Sequence, residues 1–241
     1  MKNIDLSRRN NLSQLMDSTD TDFETFRACL VDLSKVNYLT LAYRPTLRFF
    51  EHLARSGRLP TNRTVTVVDA GSGFGDMVRK IDRWAVRRGF KLDLTGVDRN
   101  PLSARAAAEA TVPGRPIRFV TANIFAYQPP SPVDIVISSL MTHQMEDTSL
   151  IRFISWMEAN AAIGWFVNDL RRNALPYQLF YVTSRVLRFH EFVRHDGPIS
   201  IACAFDNGDW RRLLDSAGIP RAAAKIGRAF PYRLCLSRLK T

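Results

Sequence analysis

Apolar residues change their spacing repeatedly along this chain, and the changes mark out its elements. Short apolar runs at 65–68, 92–97, 117–120, 133–137 and 163–167 have the length and β-branched content of strands. Between them the period lengthens. Met77, Ile81, Trp84 and Ala85 form one stripe of a helix over 77–88. Asn100-Pro101 opens a second helix reaching Ala110, with Pro101 in the favourable first turn, and residues 148–160 make a third. Strands alternating with helices at this rhythm predict a doubly wound parallel sheet.

The rhythm breaks at both ends. Residues 1–60 read as a helical N-terminal cap: Thr21-Asp22-Phe23-Glu24 has capping-box form, with Phe23, Phe26, Leu30 and Leu33 at helical spacing. A second helical pattern covers 36–54, and Pro45 should divide it into two halves. Gly57 and Pro60 then punctuate the entry to the first strand. The remainder, 61–241, is expected to be one α/β domain carrying an insertion at 171–200. That insertion shows helical spacing in Leu175, Leu179, Val182 and Val186, then Arg194-His195-Asp196-Gly197-Pro198 as a turn. Segments inserted at the carboxyl edge of such a sheet often serve as lids. A helix at 206–217 with Gly218 as its C-cap and two closing strands near 223–230 and 232–239 complete the chain.

Composition narrows the classes. With 241 residues, 46% hydrophobic and 24% charged, the chain can bury a substantial core. Cys29, Cys203 and Cys235 lie far apart without metal-ligand spacing, so no metal site is expected and the thiols read as reduced, in a cytoplasmic protein. No run approaches membrane-spanning length, and residues 1–9 lack the apolar run of a signal peptide. The net charge of +11 invites a nucleic-acid reading, and residues 171–241 carry thirteen Lys or Arg against five Asp or Glu. These are scattered arginines with no compact basic run or aromatic-spaced RNA motif, so a nucleic-acid partner is not favoured. A basic rim attracting an acidic substrate accounts for the charge equally well. No feature of the sequence sets an oligomeric state.

The chemistry concentrates between the first two strands. Val65–Val68 runs into Asp69-Ala70-Gly71-Ser72-Gly73-Phe74-Gly75, and the second strand ends in Asp98 followed by Arg99. Alternate glycines let the backbone turn sharply and present bare peptide N–H groups to a ligand. A strand ending in a carboxylate offers two acceptor oxygens to a ribose diol. The dinucleotide fingerprint is spaced differently, with its third glycine one residue later. An acidic residue before the first glycine suits a cation better than a pyrophosphate.

This arrangement resembles the first motif of class I S-adenosylmethionine-dependent methyltransferases. The resemblance implies a Rossmann-like, seven-stranded, mostly parallel sheet with one antiparallel strand. Its cofactor is S-adenosyl-L-methionine, with S-adenosyl-L-homocysteine (SAH) as product. The implied cofactor contacts are Asp69, Gly71, Ser72, Gly73, Gly75, Asp98 and Arg99. Asn123 and Ile124, after the third strand, are added at the adenine, and Ser138 at the end of the fourth.

Asn168-Asp169-Leu170-Arg171-Arg172-Asn173, Arg194 to Pro198, Ala204-Phe205, Trp210-Arg211, Leu15-Met16-Asp17 and Phe230-Pro231-Tyr232-Arg233-Leu234 are similar to a bacterial group of small-molecule methyltransferases. That group is related to the ubiquinone and menaquinone enzymes and is often associated with type III polyketide synthases. Relatives tend to show two adjacent histidines where this chain has His143-Gln144, and Gln144 cannot take a proton at neutral pH. The expected reaction is methyl transfer to a small aromatic or polyketide-like acceptor, more on oxygen than on carbon. His143 is the expected base or hydrogen-bond orienter, and His195, beside Asp196, is its competitor. Two alternatives stay open, RNA methylation and cofactor binding without transfer.

Overall fold

The computed structural model of the chain describes residues 4–10, 12, 22–130 and 132–240. The Leu15-Met16-Asp17 motif and Thr21 lie outside the described residues. Seven strands form one sheet: β1 (Val65–Ala70), β2 (Leu92–Asp98), β3 (Ile117–Thr121), β4 (Val133–Ser139), β5 (Ala161–Leu170), β6 (Ala224–Ala229) and β7 (Arg233–Leu239). Their order is β3-β2-β1-β4-β5-β7-β6. The first five pair in parallel, and β7 runs antiparallel to both β5 and β6.

Side-chain alternation sends each strand into two cores. Val67, Ile135, Ile137 and Phe166 meet Phe49, Phe50 and Leu53 of α2 (Arg44–Arg55) and Met77, Ile81 and Trp84 of α3 (Asp76–Arg88). Val68, Val136, Trp165 and Val167 meet Phe153, Ile154 and Met157 of α5 (Asp147–Asn160), and Trp210 and Leu213 of α8 (Asn207–Ser216). A sheet covered on both faces explains why the parallel strands read as nearly unbroken apolar runs.

Three helices stand around the carboxyl ends of the parallel strands. α1 (Phe23–Leu39) packs through Phe26 and Leu30 on Ala106 of α4 (Pro101–Glu109) and also contacts α7 (Glu191–Cys203). α7 forms a hairpin with α6 (Ala174–Val186). Beneath them, the chain leaves β1 towards β2 on one side, while β4 leads to β5 on the other. Loops after β1 and β4 therefore diverge, and the crevice they leave is where open α/β sheets bind ligands.

Several boundaries differ from the sequence expectation. The first turn of α1 is capped by Asp22, whose carboxylate accepts from Thr25 N–H. Residues 36–39 finish α1, and Pro45 stands in the first turn of α2, where its missing N–H costs nothing. The segment 194–198 is helical, not a turn. Gly197 serves close packing there, because a Cβ on it would lie 1.9 Å from the Phe180 ring of α6. Pro198 gives up one helical hydrogen bond inside α7, yet the helix continues to Cys203. Among the described residues no helix is long and apolar enough to cross a membrane.

Gly164 tests the sheet. Its missing Cβ leaves room for the Arg238 carbonyl oxygen, which would otherwise stand 2.2 Å away on the β7 backbone. Gly164→Ala should destabilise the fold by about 2 kcal/mol and lower the thermal midpoint by roughly 4–8 °C. Gly227→Ala, with no atom within 4 Å of the added carbon, should leave the midpoint nearly unchanged.

Candidate active site

A cavity of about 1050 Å³ occupies the crevice. Single small-molecule sites run to roughly 300–1,000 Å³, so there is room here for two ligands side by side. Its floor is the turn after β1 and the segments following β2 and β4. Its walls come from α1 through Phe26, Leu30 and Leu33, and from the α6–α7 hairpin through Leu179, Phe180 and Ile201. Tyr232 and Arg233, where β7 begins, close the remaining side.

The β1 turn has the shape expected of it, but its amides are spent within the protein. Gly71, Gly73 and Gly75 have φ of 74°, 49° and 70°. A Cβ on Gly75 would strike the Phe119 ring at 2.4 Å, so this glycine lets the turn lie flat on β3. One on Gly73 would meet nothing within 4 Å. Four of the five N–H groups from Gly71 to Gly75 are taken. Gly71 and Ser72 donate to the Val97 carbonyl at 2.8 and 3.1 Å, Gly73 donates to Asp98 Oδ2 at 2.8 Å, and Gly75 to the Ser72 carbonyl at 2.8 Å. The turn therefore supplies space and places carboxylates more than it donates hydrogen bonds.

Those carboxylates differ sharply in environment. Asp69 is 2% exposed, lines the cavity, and neither of its oxygens has a hydrogen-bond partner. Burial first, then the nearby charges of Asp76 and Asp98, push its carboxyl well above the ordinary range. Asp98 holds the Gly73 N–H with one oxygen and the Asn100 N–H with the other, at 2.8 and 3.0 Å, which fixes its orientation at the cavity edge. Asp76 accepts from Tyr43 Oη at 2.6 Å and from Asn37 at 3.3 Å. Three carboxylates at one end of a cavity make a place for a cation, and an orphaned, buried one such as Asp69 lacks its counter-charge.

The β4–β5 side has a different design. A single 3-10 turn, Thr142–Gln144, follows β4 and brings His143 into the cavity wall. Its Nδ1 lies 2.7 Å from Oδ1 of Asp169, which is fully buried near the end of β5, the next strand in the sheet. Asp169 also accepts from the His143 and Leu170 N–H groups at 3.0 and 2.7 Å, and from the Thr142 hydroxyl. Burial alone would raise its carboxyl. The His143 charge and this set of donors outweigh burial and hold it below the ordinary range. An ionised Asp169 accepts a hydrogen bond from Nδ1–H, which leaves Nε2 of the neutral imidazole as an acceptor. Arg9 braces the turn from behind, donating to the carbonyls of His143 at 3.2 Å and of Met145, and to Asp147 at 2.5 Å.

Of the other residues singled out in the sequence, Ser72, Arg99, Gly71 and Gly73 line the cavity with Asp69 and Asp98, while Gly75 stands behind it against Phe119. Asn123 and Ile124 follow β3 beside Asp98, whose carbonyl accepts from Ala122 N–H at 2.9 Å, but neither is a lining residue. Asn123 is exposed and caps its own turn by accepting from Phe125 N–H at 3.0 Å; Ile124 is buried in the α5-side core. Ser138 is fully buried and donates to the Ala70 carbonyl at 3.0 Å, so its neighbour Ser139 lines the cavity in its place. His195 pairs with Asp196 at 2.8 Å on α7, is half exposed, and does not line the cavity, although Asp196 does. Sequence reasoning missed the part Asp169 plays. The available signal was a carboxylate ending the strand predicted beside the one that delivers His143.

No protein-family model matches the chain, and no curated protein does. Solved structures do match it. The plantazolicin methyltransferase BpumL in complex with SAH is 13% identical, with a TM-score of 0.63 over 90% of this chain and 96% of that one. The magnesium protoporphyrin IX methyltransferase ChlM from Synechocystis PCC 6803 with bound SAH is 16% identical, at 0.54 over 83% and 84%. The CMeT domain of the citrinin polyketide synthase is 16% identical, at 0.59 over 82% of this chain and 52% of that one. The chain thus has the class I methyltransferase fold.

The titration of Asp69 gives a test of this geometry. Folded Asp69 keeps its proton at pH values where the unfolded chain has lost it, so this residue makes the ligand-free protein less stable as pH rises from the unfolded value towards the folded one. Asp69→Asn should therefore raise the thermal midpoint at pH 8 by at least about 3 °C and change it little at pH 4. Thermal unfolding of both proteins across that range, without ligand, checks it.

Proposed function

We propose that the chain is an S-adenosylmethionine-dependent methyltransferase that methylates a hydroxyl of a small aromatic or polyketide-like acceptor. The observation that carries this reading is the His143–Asp169 pair in the same cavity as the unpartnered Asp69, within the class I methyltransferase fold. Solved neighbours of that fold hold SAH.

The residues fit such a cofactor. Asp69 faces the cavity with two unused oxygens, suited to the positive charge of the methionyl portion, and Asp98 keeps lone pairs for a ribose diol. Arg99 lines the wall next to it, and Asn123 and Ile124 stand on the adjoining loop as candidates at the adenine. Bound there, the cofactor would supply an electrophilic methyl group for in-line attack by the acceptor oxygen, with the sulfur leaving as the thioether of SAH. The protein's share is alignment, exclusion of water and removal of one proton. His143 Nε2 takes that proton from the acceptor hydroxyl, and Asp169 stabilises the imidazolium that results. The apolar faces of α1, α6 and α7 hold the acceptor's body away from water.

Two variants separate the halves of the site. Asp98→Ala should weaken SAH binding by more than tenfold in a calorimetric titration, losing about 1.4 kcal/mol or more. His143→Ala should keep SAH affinity and lose about 10²–10⁴ in turnover, with Asp169→Asn impaired through the wrong tautomer. Turnover is read by incubating the protein with methyl-labelled S-adenosylmethionine and an extract of its host. Wild-type turnover in His143→Ala would remove the proposed base.

A further inference from the structure

Arg233 is 3% exposed and forms part of the cavity wall. Its Nη2 donates to Thr40 Oγ1 at 3.0 Å, while Nε and Nη1 have no partner among the described residues. Burial lowers its pKa first, with Asp169 and Cys235 opposing, to about 10, so the guanidinium stays charged at neutral pH. Asp169 does not neutralise it at contact distance, because its two oxygens already serve Thr142, His143 and Leu170. A buried guanidinium with two unused donor nitrogens is as costly as a buried unpaired carboxylate. Like Asp69, it lines the cavity with polar atoms that have no partner among the described residues.

Charge is unevenly distributed along the cavity. Asp69 and Asp98 stand at the ends of β1 and β2, with Asp76 opening α3 and Arg99 beside Asp98, while Arg171 and Arg233 stand at the β5–β7 side and Asp196 lines the wall from α7. Arg171 leaves β5 one residue after Leu170, which pairs in register with Arg233, so the two cations stand on neighbouring strand ends. We propose that Arg233, aided by Arg171, is a specificity site for an anionic group, and that the acceptor is a hydroxy acid whose carboxylate pairs with Arg233 while its hydroxyl faces His143. Nε and Nη1 each share an edge of the guanidinium with Nη2, and Thr40 takes only one of the two Nη2 hydrogens, so one of these edges keeps the paired donors that hold a carboxylate through two parallel hydrogen bonds. This deepens the proposed methyl transfer and rests on it for the role of the hydroxyl. The anion site itself needs only the wall residues.

The test uses full-length protein saturated with SAH and compares 2-hydroxybenzoate with 2-hydroxybenzamide, its neutral isostere, by calorimetric titration. The acid should bind at least tenfold more tightly than the amide, a difference of about 1.4 kcal/mol. Arg233→Gln should erase the preference without changing SAH affinity, and Arg233→Lys should restore part of it. Equal affinity for acid and amide, including no binding of either at millimolar concentration, overturns the proposal without recourse to a variant. So does a preference that survives in a folded Arg233→Gln protein. Failure of SAH itself to bind would instead strike at the cofactor reading, which the first titration measures separately.

Discussion

Burying a carboxylate is expensive, and the molecule handles that expense in two opposite ways. Asp169 and Asp69 stand at the ends of β5 and β1, both almost wholly removed from water. Each would cost several kcal/mol if left charged and alone. Asp169 is surrounded by donors from Thr142, His143 and Leu170, and stays ionised. Asp69 has none and is driven towards its protonated form. One aspartate is complete within the chain, where it fixes the tautomer and orientation of a histidine. The other is complete only when something cationic enters, and the proposed cofactor supplies that charge.

Both groups lie where the sheet permits such an arrangement. At the β1–β4 switch, the connections leave in opposite directions. α1 and the α6–α7 hairpin wall the crevice with apolar side chains. The hairpin is tight because Gly197 admits the Phe180 ring. The N-terminal segment is tied in by arginines. Arg9 reaches Cys203, His143, Met145 and Asp147, while Arg172 holds the Leu6 and Ala204 carbonyls together with Asp206 and Asp209. Segments distant in sequence thereby fix the turn that carries His143.

The excess of basic residues is dispersed by the fold. Arg63 grips Asp134 through two hydrogen bonds of 2.6 Å, and Arg115 holds Asp82 at 2.8 and 2.6 Å. These arginines brace the strand–helix layers at positions remote from the cavity. Arg233 differs, being buried with most of its donors unused. Charge counted along the sequence could not distinguish a bracing arginine from one that awaits an anion.

The strands, the glycine turn with Asp69 and Asp98, and the expected sheet were legible in the sequence. Each is a local pattern: side-chain alternation, a run of positive-φ glycines, or a carboxylate at a strand end. His143 was legible as a residue beyond a strand. Its partner was not, because Asp169 lies 26 positions away and meets it only through the pairing of β4 with β5. The Gly-Pro pair at 197–198 misled for a related reason. Turn propensity is a local preference, and the contact with Phe180 that overrides it comes from another helix. Ser138 and Ser139 show the same limit, since the pleat alone decides that the first braces Ala70 and the second faces the cavity. The sequence by itself determined which groups could carry chemistry. Tertiary structure decided which of them are left without partners, because that depends on contacts between residues far apart in the chain.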